Sequence, residues 1–100
     1  MFKGTTPTHT FEVDIDTSVI KTVKITYTQK DKEILVKRTD DCEIGNGVIT
    51  TSLSQEDTFL FKEDTWVRVQ LRILTNSGEA LASAPMMITV GACLDDEVLE

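Results

Sequence analysis

The sequence predicts an all-β protein: a single antiparallel β-sandwich of about seven strands, immunoglobulin-like, with a small barrel as the alternative closure. Three observations lead there. Apolar and polar residues alternate at period two through most of the chain, the pattern of half-buried strands. Turn-forming residues recur about every 8–12 positions, a spacing typical of sandwiches. No segment sustains a 3.6-residue period, so long helices are not expected.

Taken in order, Thr10 to Ile15 places Phe11, Val13 and Ile15 on one face and Glu12 and Asp14 on the other. Asp16-Thr17-Ser18 turns the chain, and Thr22 to Thr28 turns Val23, Ile25 and Tyr27 inward and Lys24 outward. Lys30-Asp31-Lys32 forms a polar hairpin tip. In the following strand, Glu33 to Arg38, the run Ile34-Leu35-Val36 leaves the inward face undecided. Asp41 to Ile44 is short, and Gly45-Asn46-Gly47 supplies residues that accept positive φ for a tight hairpin. Val48 to Leu53 returns with Ile49, Thr51 and Leu53 inward.

Ser54-Gln55-Glu56-Asp57 reads as a capping box, so one helical turn is expected before Phe59 and Phe61 enter the core. From Trp66 to Leu74, Val67, Val69, Leu71 and Ile73 face in, while Trp66, Arg68, Gln70 and Arg72 face out. Asn76-Ser77-Gly78 turns the chain into a last strand, Leu81 to Val90, with Met86, Ile88 and Val90 inward. Pro85 cannot donate to a ladder, so that strand lies at an edge or carries a bulge near its start. Residues 1–93 form the sandwich, and 94–100 an acidic tail, either a short helix or a frayed end.

One hundred residues, 40% hydrophobic and 27% charged, suit one globular domain with its own core. The net charge of −7 opposes binding to nucleic acid or to anionic membranes unless the ten cations gather on one face. The opening Met1-Phe2-Lys3-Gly4-Thr5-Thr6-Pro7 holds no apolar secretory core, and no window has the length of a membrane span. A cytoplasmic protein of the host cell is expected, leaving it only within an assembly. Cys42 and Cys93 are too few for a disulfide scaffold. Two free structural thiols are the first expectation and a pair linking two strands the second.

Reactive groups are sparse. His9 is the only histidine, in a Thr-rich stretch expected to be exposed. Two cysteines and one histidine lack the paired spacing of a zinc site. The acidic clusters Asp14-Asp16, Asp40-Asp41 and Asp95-Asp96-Glu97 do not follow a calcium-loop pattern, and Gly45-Asn46-Gly47 lacks the strand–loop–helix context of a phosphate cradle. Catalysis is therefore not expected, nor a cofactor or metal. The candidate surface is the outward side of one strand, Trp66, Arg68, Gln70 and Arg72, residue types that interfaces favour. The competing reading is cross-strand ion pairing of those arginines with nearby Asp and Glu.

Several stretches together resemble small proteins encoded in phages and prophages of Firmicutes. They are Gly4-Thr5-Thr6-Pro7-Thr8-His9-Thr10-Phe11, then Leu53-Ser54-Gln55-Glu56-Asp57-Thr58-Phe59-Leu60-Phe61. Val67 through Gly78 to Ala82-Ser83 follows the same plan, as does Cys93-Leu94 to Val98-Leu99. The opening is also similar to the N-terminal immunoglobulin-like domain of phage baseplate upper proteins, which docks onto a tail assembly, although no receptor-binding extension is present here. The resemblance implies a structural or adaptor part of a virion, at the tail or baseplate, or an accessory protein, with a phage structural protein or a second copy as partner. It transfers no binding residues. The alternative is a sandwich that binds carbohydrate or calcium through the loops at one end.

Overall fold

The computed structural model describes all residues, 1–100, and forms two antiparallel sheets packed face to face. In one sheet, β1 (Thr8–Glu12) and β4 (Cys42–Gly45) flank β5 (Val48–Ser52). In the other, β2 (Ile20–Gln29) lies between β3 (Lys32–Arg38) and β6 (Val67–Thr75). The far side of β6 is covered by β7 (Ala80–Ala82) and β8 (Met86–Ile88). No pairing joins the two sheets, so the molecule is a sandwich and not a barrel. With β1, β5 and β4 as strands B, E and D, the other sheet reads C′-C-F-G, the immunoglobulin order. In place of strand A, Phe2 bridges Gly91 in parallel sense.

The alternation seen in the sequence becomes the core. Phe11, Ile49 and Leu53 meet Val23, Ile25, Tyr27, Val67, Val69, Leu71 and Ile73 between the sheets, with Phe61 and Val90 completing the cluster. Each such side chain contributes on the order of 1.5–3 kcal/mol when fully buried. Thr51 is buried beside them and donates its hydroxyl to the Asp41 carbonyl. The hairpin tips take the backbone their residues allow: Lys30 and Asp31 have φ of 49° and 63°, and Asn46 and Gly47 have 53° and 78°. Paired positive φ of this kind matches the strand twist in a two-residue turn.

Several expectations are corrected. The first strand ends at Glu12, and Val13 and Ile15 leave the sheet half-buried. The ambiguous Ile34-Leu35-Val36 run has a structural cause. Tyr27 pairs with Leu35 but Thr28 pairs with Glu33, which leaves Ile34 as an extra, bulged residue, so both Ile34 and Leu35 reach the core. Beyond the bulge Lys37 pairs with Ile25 and therefore points inward, where it meets Asp57 at 2.8 Å.

The last strand is interrupted rather than continuous. Arg72 pairs with Ala82 and Val69 with Met86, so three residues of this strand oppose two of β6. The bulge holds Pro85, and Ser83 repairs the ladder: its N–H donates to the Leu71 carbonyl and its hydroxyl accepts from the Leu71 N–H. Beyond it Met86, expected inside, is 40% exposed at the sheet margin, while Val90 is buried.

The capping box forms as read. Ser54 Oγ accepts the Asp57 N–H at 3.0 Å, and Asp57 Oδ2 accepts the Ser54 N–H at 2.9 Å, starting α1 (Gln55–Phe59). Phe61 enters the core, but Phe59 packs instead over Gly4, where φ is +78° and a Cβ would stand 2.8 Å from the ring. Gln29, buried, fixes the following loop through two hydrogen bonds of 2.9 Å with the Lys62 backbone. The tail forms neither helix nor free end: Leu99 exchanges two backbone hydrogen bonds with the Gln55 amide, at 2.7 and 2.9 Å.

Candidate protein interface

The outward face of the β3-β2-β6-β7/β8 sheet follows from strict alternation along β2 and β6. Burying Val67, Val69, Leu71 and Ile73 turns Arg68, Gln70 and Arg72 to solvent. Trp66, just before β6, is 57% exposed on the same side. Gln70 is half-buried, its amide donating to the Ser83 carbonyl at 2.9 Å, so it braces the bulge more than it greets solvent.

The register assembles more than one strand could reveal. Lys24 stands directly opposite Arg38 on one side and Arg72 on the other. Three cations thus form a row across β3, β2 and β6. Toward the Trp66 end, Thr28 separates Arg68 from Glu33, and Met87, 52% exposed, lies opposite Arg68. A shallow polar depression of about 260 Å³ there is lined by Thr26, Thr28, Asp31, Arg68, Gln70 and Pro85. The two ion pairs of the molecule, Lys3–Glu63 and Lys37–Asp57, lie elsewhere. Arg68 and Arg72 are therefore not neutralised by cross-strand carboxylates, the competing reading of these residues.

Sequence reasoning missed Lys24 as part of this surface, and missed Arg38 and Met87 altogether. Lys24 was legible as outward but not as a neighbour of Arg72, because register is a tertiary property. Arg38 was hidden by the bulge at Ile34.

A second polar cluster sits between the sheets. His9, expected in solvent, is half-buried, and its Nδ1 lies 2.7 Å from the Tyr27 hydroxyl. Burial and the N-terminal ammonium hold the His9 imidazole below its usual pKa. Burial, with Cys42 and Asp57 nearby, pushes the Tyr27 phenol well above its usual value. Burial also raises the Cys42 thiol, outweighing the Thr51 hydrogen bond. A thiol so held is a poor nucleophile. Tyr27 is 0% exposed, so its phenol meets no solvent-borne molecule. Both cysteines are free; Cys42 packs against the core, whereas Cys93 is exposed rather than structural.

The remaining features are modest. A mainly apolar depression of about 280 Å³ lies beside β1 and β7, lined by Val13, Ile15, Leu71, Ile73 and Leu81 with Glu12 and Asp14 among its residues. No group of three or more His, Cys, Asp or Glu side chains converges to hold a metal ion. No helix is long and apolar enough to cross a membrane. The chain matches no family model, no curated protein and no solved structure.

Proposed function

We propose that this chain is a non-catalytic protein-docking domain that binds through the outward face of the β2–β6 sheet. The observation that carries this reading is the row Arg38–Lys24–Arg72. Like charges directly opposite on adjacent strands destabilise a sheet. Nothing inside the fold offsets them, since both ion pairs lie elsewhere. Their benefit then lies outside the fold, in a partner that brings carboxylates. Exposed Trp66 and Met87 add the apolar contact that charge alone does not give.

Protein is a better fit than nucleic acid or an anionic membrane. The cationic row is short, Asp31 and Glu33 stand near Arg68 on the same face, and the whole chain carries −7. A phosphate backbone would meet that wider negative field, whereas a carboxylate-bearing protein can dock on the row alone. The resemblance to phage and prophage proteins suggests the setting of this docking: a virion, with the domain made in the host cytoplasm and joining a tail or baseplate as a structural or accessory part.

The test uses wild type and Arg68→Glu/Arg72→Glu immobilised in parallel and exposed to a dissociated virion fraction. Wild type should retain a virion structural protein that the variant loses. Equal retention by both would place docking on another surface. Retention by neither would contradict the virion assignment.

A further inference from the structure

The two outer faces of the sandwich carry opposite charge. All three arginines of the chain, with Lys24, lie on the outward side of the β3-β2-β6 sheet. The outward side of the β1-β5-β4 sheet carries none. Its register there reads Glu12–Val48–Gly45, then Thr10–Thr50–Glu43, then Thr8–Ser52. Asp40 and Asp41 join Thr8, Glu43, Thr50 and Ser52 around a polar depression on the same side. Carboxylates and hydroxyls thus make up the polar groups of this face, and neither Glu12 nor Glu43 has an ion-pair partner.

The carboxylates, like the outer two cations, lie on strands two apart. Arg38 and Arg72 are two strands apart, with Lys24 between them. Glu12 and Glu43 are likewise on the two outer strands of a three-stranded sheet. Across the strands this is about 10 Å in each case. Glu12 stands opposite Val48 and Glu43 opposite Thr50, so the two carboxylates are also offset by two residues, about 7 Å, along the strands. A second copy laid sheet to sheet, with its strands turned relative to the first, can present its Glu12–Glu43 diagonal along the Arg38–Lys24–Arg72 row, with the hydroxyls of Thr10 and Thr50 beside it.

From this arrangement we propose that the occupant of the basic face is the acidic β1-β5-β4 face of another copy of the same chain. The inference rests on the docking face argued above and specifies its partner. The contact is heterologous, because the two surfaces are different and lie on opposite sides of one sandwich. Each copy keeps one face of either kind free, so the contact propagates into a ring or an open stack unless rotation closes it. A single sheet face is small by interface standards, so one contact is weak, and a stack gains its strength from repetition. The net charge of −7 opposes approach at long range, but that field is screened beyond about 8 Å at 0.15 M salt, while the facing pairs are closer than this.

Sedimentation of the full chain over a concentration series tests the proposal with a charge-swap pair. Wild type is expected to gain weight-average mass with concentration at about 0.15 M salt and to lose it at about 1 M. Arg68→Glu/Arg72→Glu and Glu12→Lys/Glu43→Lys, each alone, should sediment as monomers with unchanged circular dichroism. An equimolar mixture of the two variants should associate again, because each now supplies the face the other lacks. Wild type that stays monomeric at every concentration, or a mixture that does not associate, overturns the second copy as occupant. If wild type stays monomeric while the arginine variant alone loses the virion protein, the docking face stands and its partner is another protein. Tighter binding of wild type to a single-stranded oligonucleotide than to a poly-glutamate probe would reassign the face to nucleic acid and overturn the proposal.

Discussion

His9 Nδ1 lies 2.7 Å from the hydroxyl of Tyr27, a residue otherwise sealed from solvent, and this contact joins the two sheets across their polar end. A buried hydroxyl that loses its partner costs about 1–3 kcal/mol. His9→Leu should therefore destabilise the fold by that order in urea unfolding. Adding Tyr27→Phe should restore part of the loss, because the orphaned hydroxyl is then gone. Full additivity of the two substitutions would show that the contact contributes nothing.

The burial of His9 sets a pH dependence. Burial first, then the N-terminal ammonium, holds the His9 pKa below its ordinary 6.5, so the folded state favours the neutral ring. Between the folded value and 6.5 the unfolded chain binds more protons, and stability rises with pH there. The His9 contribution is thus complete above 6.5 and declines as the pH falls below it. Unfolding free energies measured across this range should fall more steeply for wild type than for His9→Leu.

Asp57 is the hinge of a second linkage. Its Oδ2 accepts both Lys37 Nζ at 2.8 Å and the Ser54 N–H at 2.9 Å. Burial raises the carboxyl, but the Lys37 ammonium and the Ser54 hydrogen bonds together hold it below its ordinary 3.8. That contribution is present above 3.8 and is lost as the pH falls through the lower folded value. Ser54→Ala removes the cap of α1 and should cost about 1 kcal/mol, while Asp57→Asn should cost more because it also strands Lys37. Chemical denaturation of the two variants at neutral pH gives the comparison.

Gly4 and Gly45 provide a matched pair of backbone tests. At Gly4 φ is +78° and an added Cβ would lie 2.8 Å from Phe59 Cζ, whereas at Gly45 the space is open. Gly4→Ala should lower stability by at least about 1 kcal/mol. Gly45→Ala should be neutral or mildly stabilising. Thermal melts of the two variants distinguish strain at Gly4 from a general intolerance of alanine.

Much of this fold was legible because its strands obey a simple rule. Val67, Val69, Leu71 and Ile73 alternate without fault, and Ile49, Thr51 and Leu53 are buried as their spacing requires. The α1 cap was equally readable, since a capping box is a local device. Failures gathered where the period is broken by something non-local. The bulge at Ile34 hid the inward turn of Lys37 and the outward turn of Arg38, and the bulge at Ser83–Pro85 split one strand into two. His9 was misplaced because its burial depends on Tyr27, eighteen residues away on the other sheet. For the candidate surface, Arg68, Gln70 and Arg72 could be read from one strand. The row that Arg72 belongs to could not, because only pairing of β3, β2 and β6 sets Lys24 between two arginines.

On the proposed reading, Arg38, Lys24 and Arg72 are held opposite one another against stability, for the sake of a partner. Lys24→Thr removes the middle of the row and puts a residue that suits a strand in its place. Unfolding free energy measured at low and high salt should rise by about 0.2–1 kcal/mol at low salt, with the gain shrinking as salt screens the repulsion. A variant less stable than wild type, or a gain indifferent to salt, would mean that the row is not under repulsion and that the reason given for its existence is wrong.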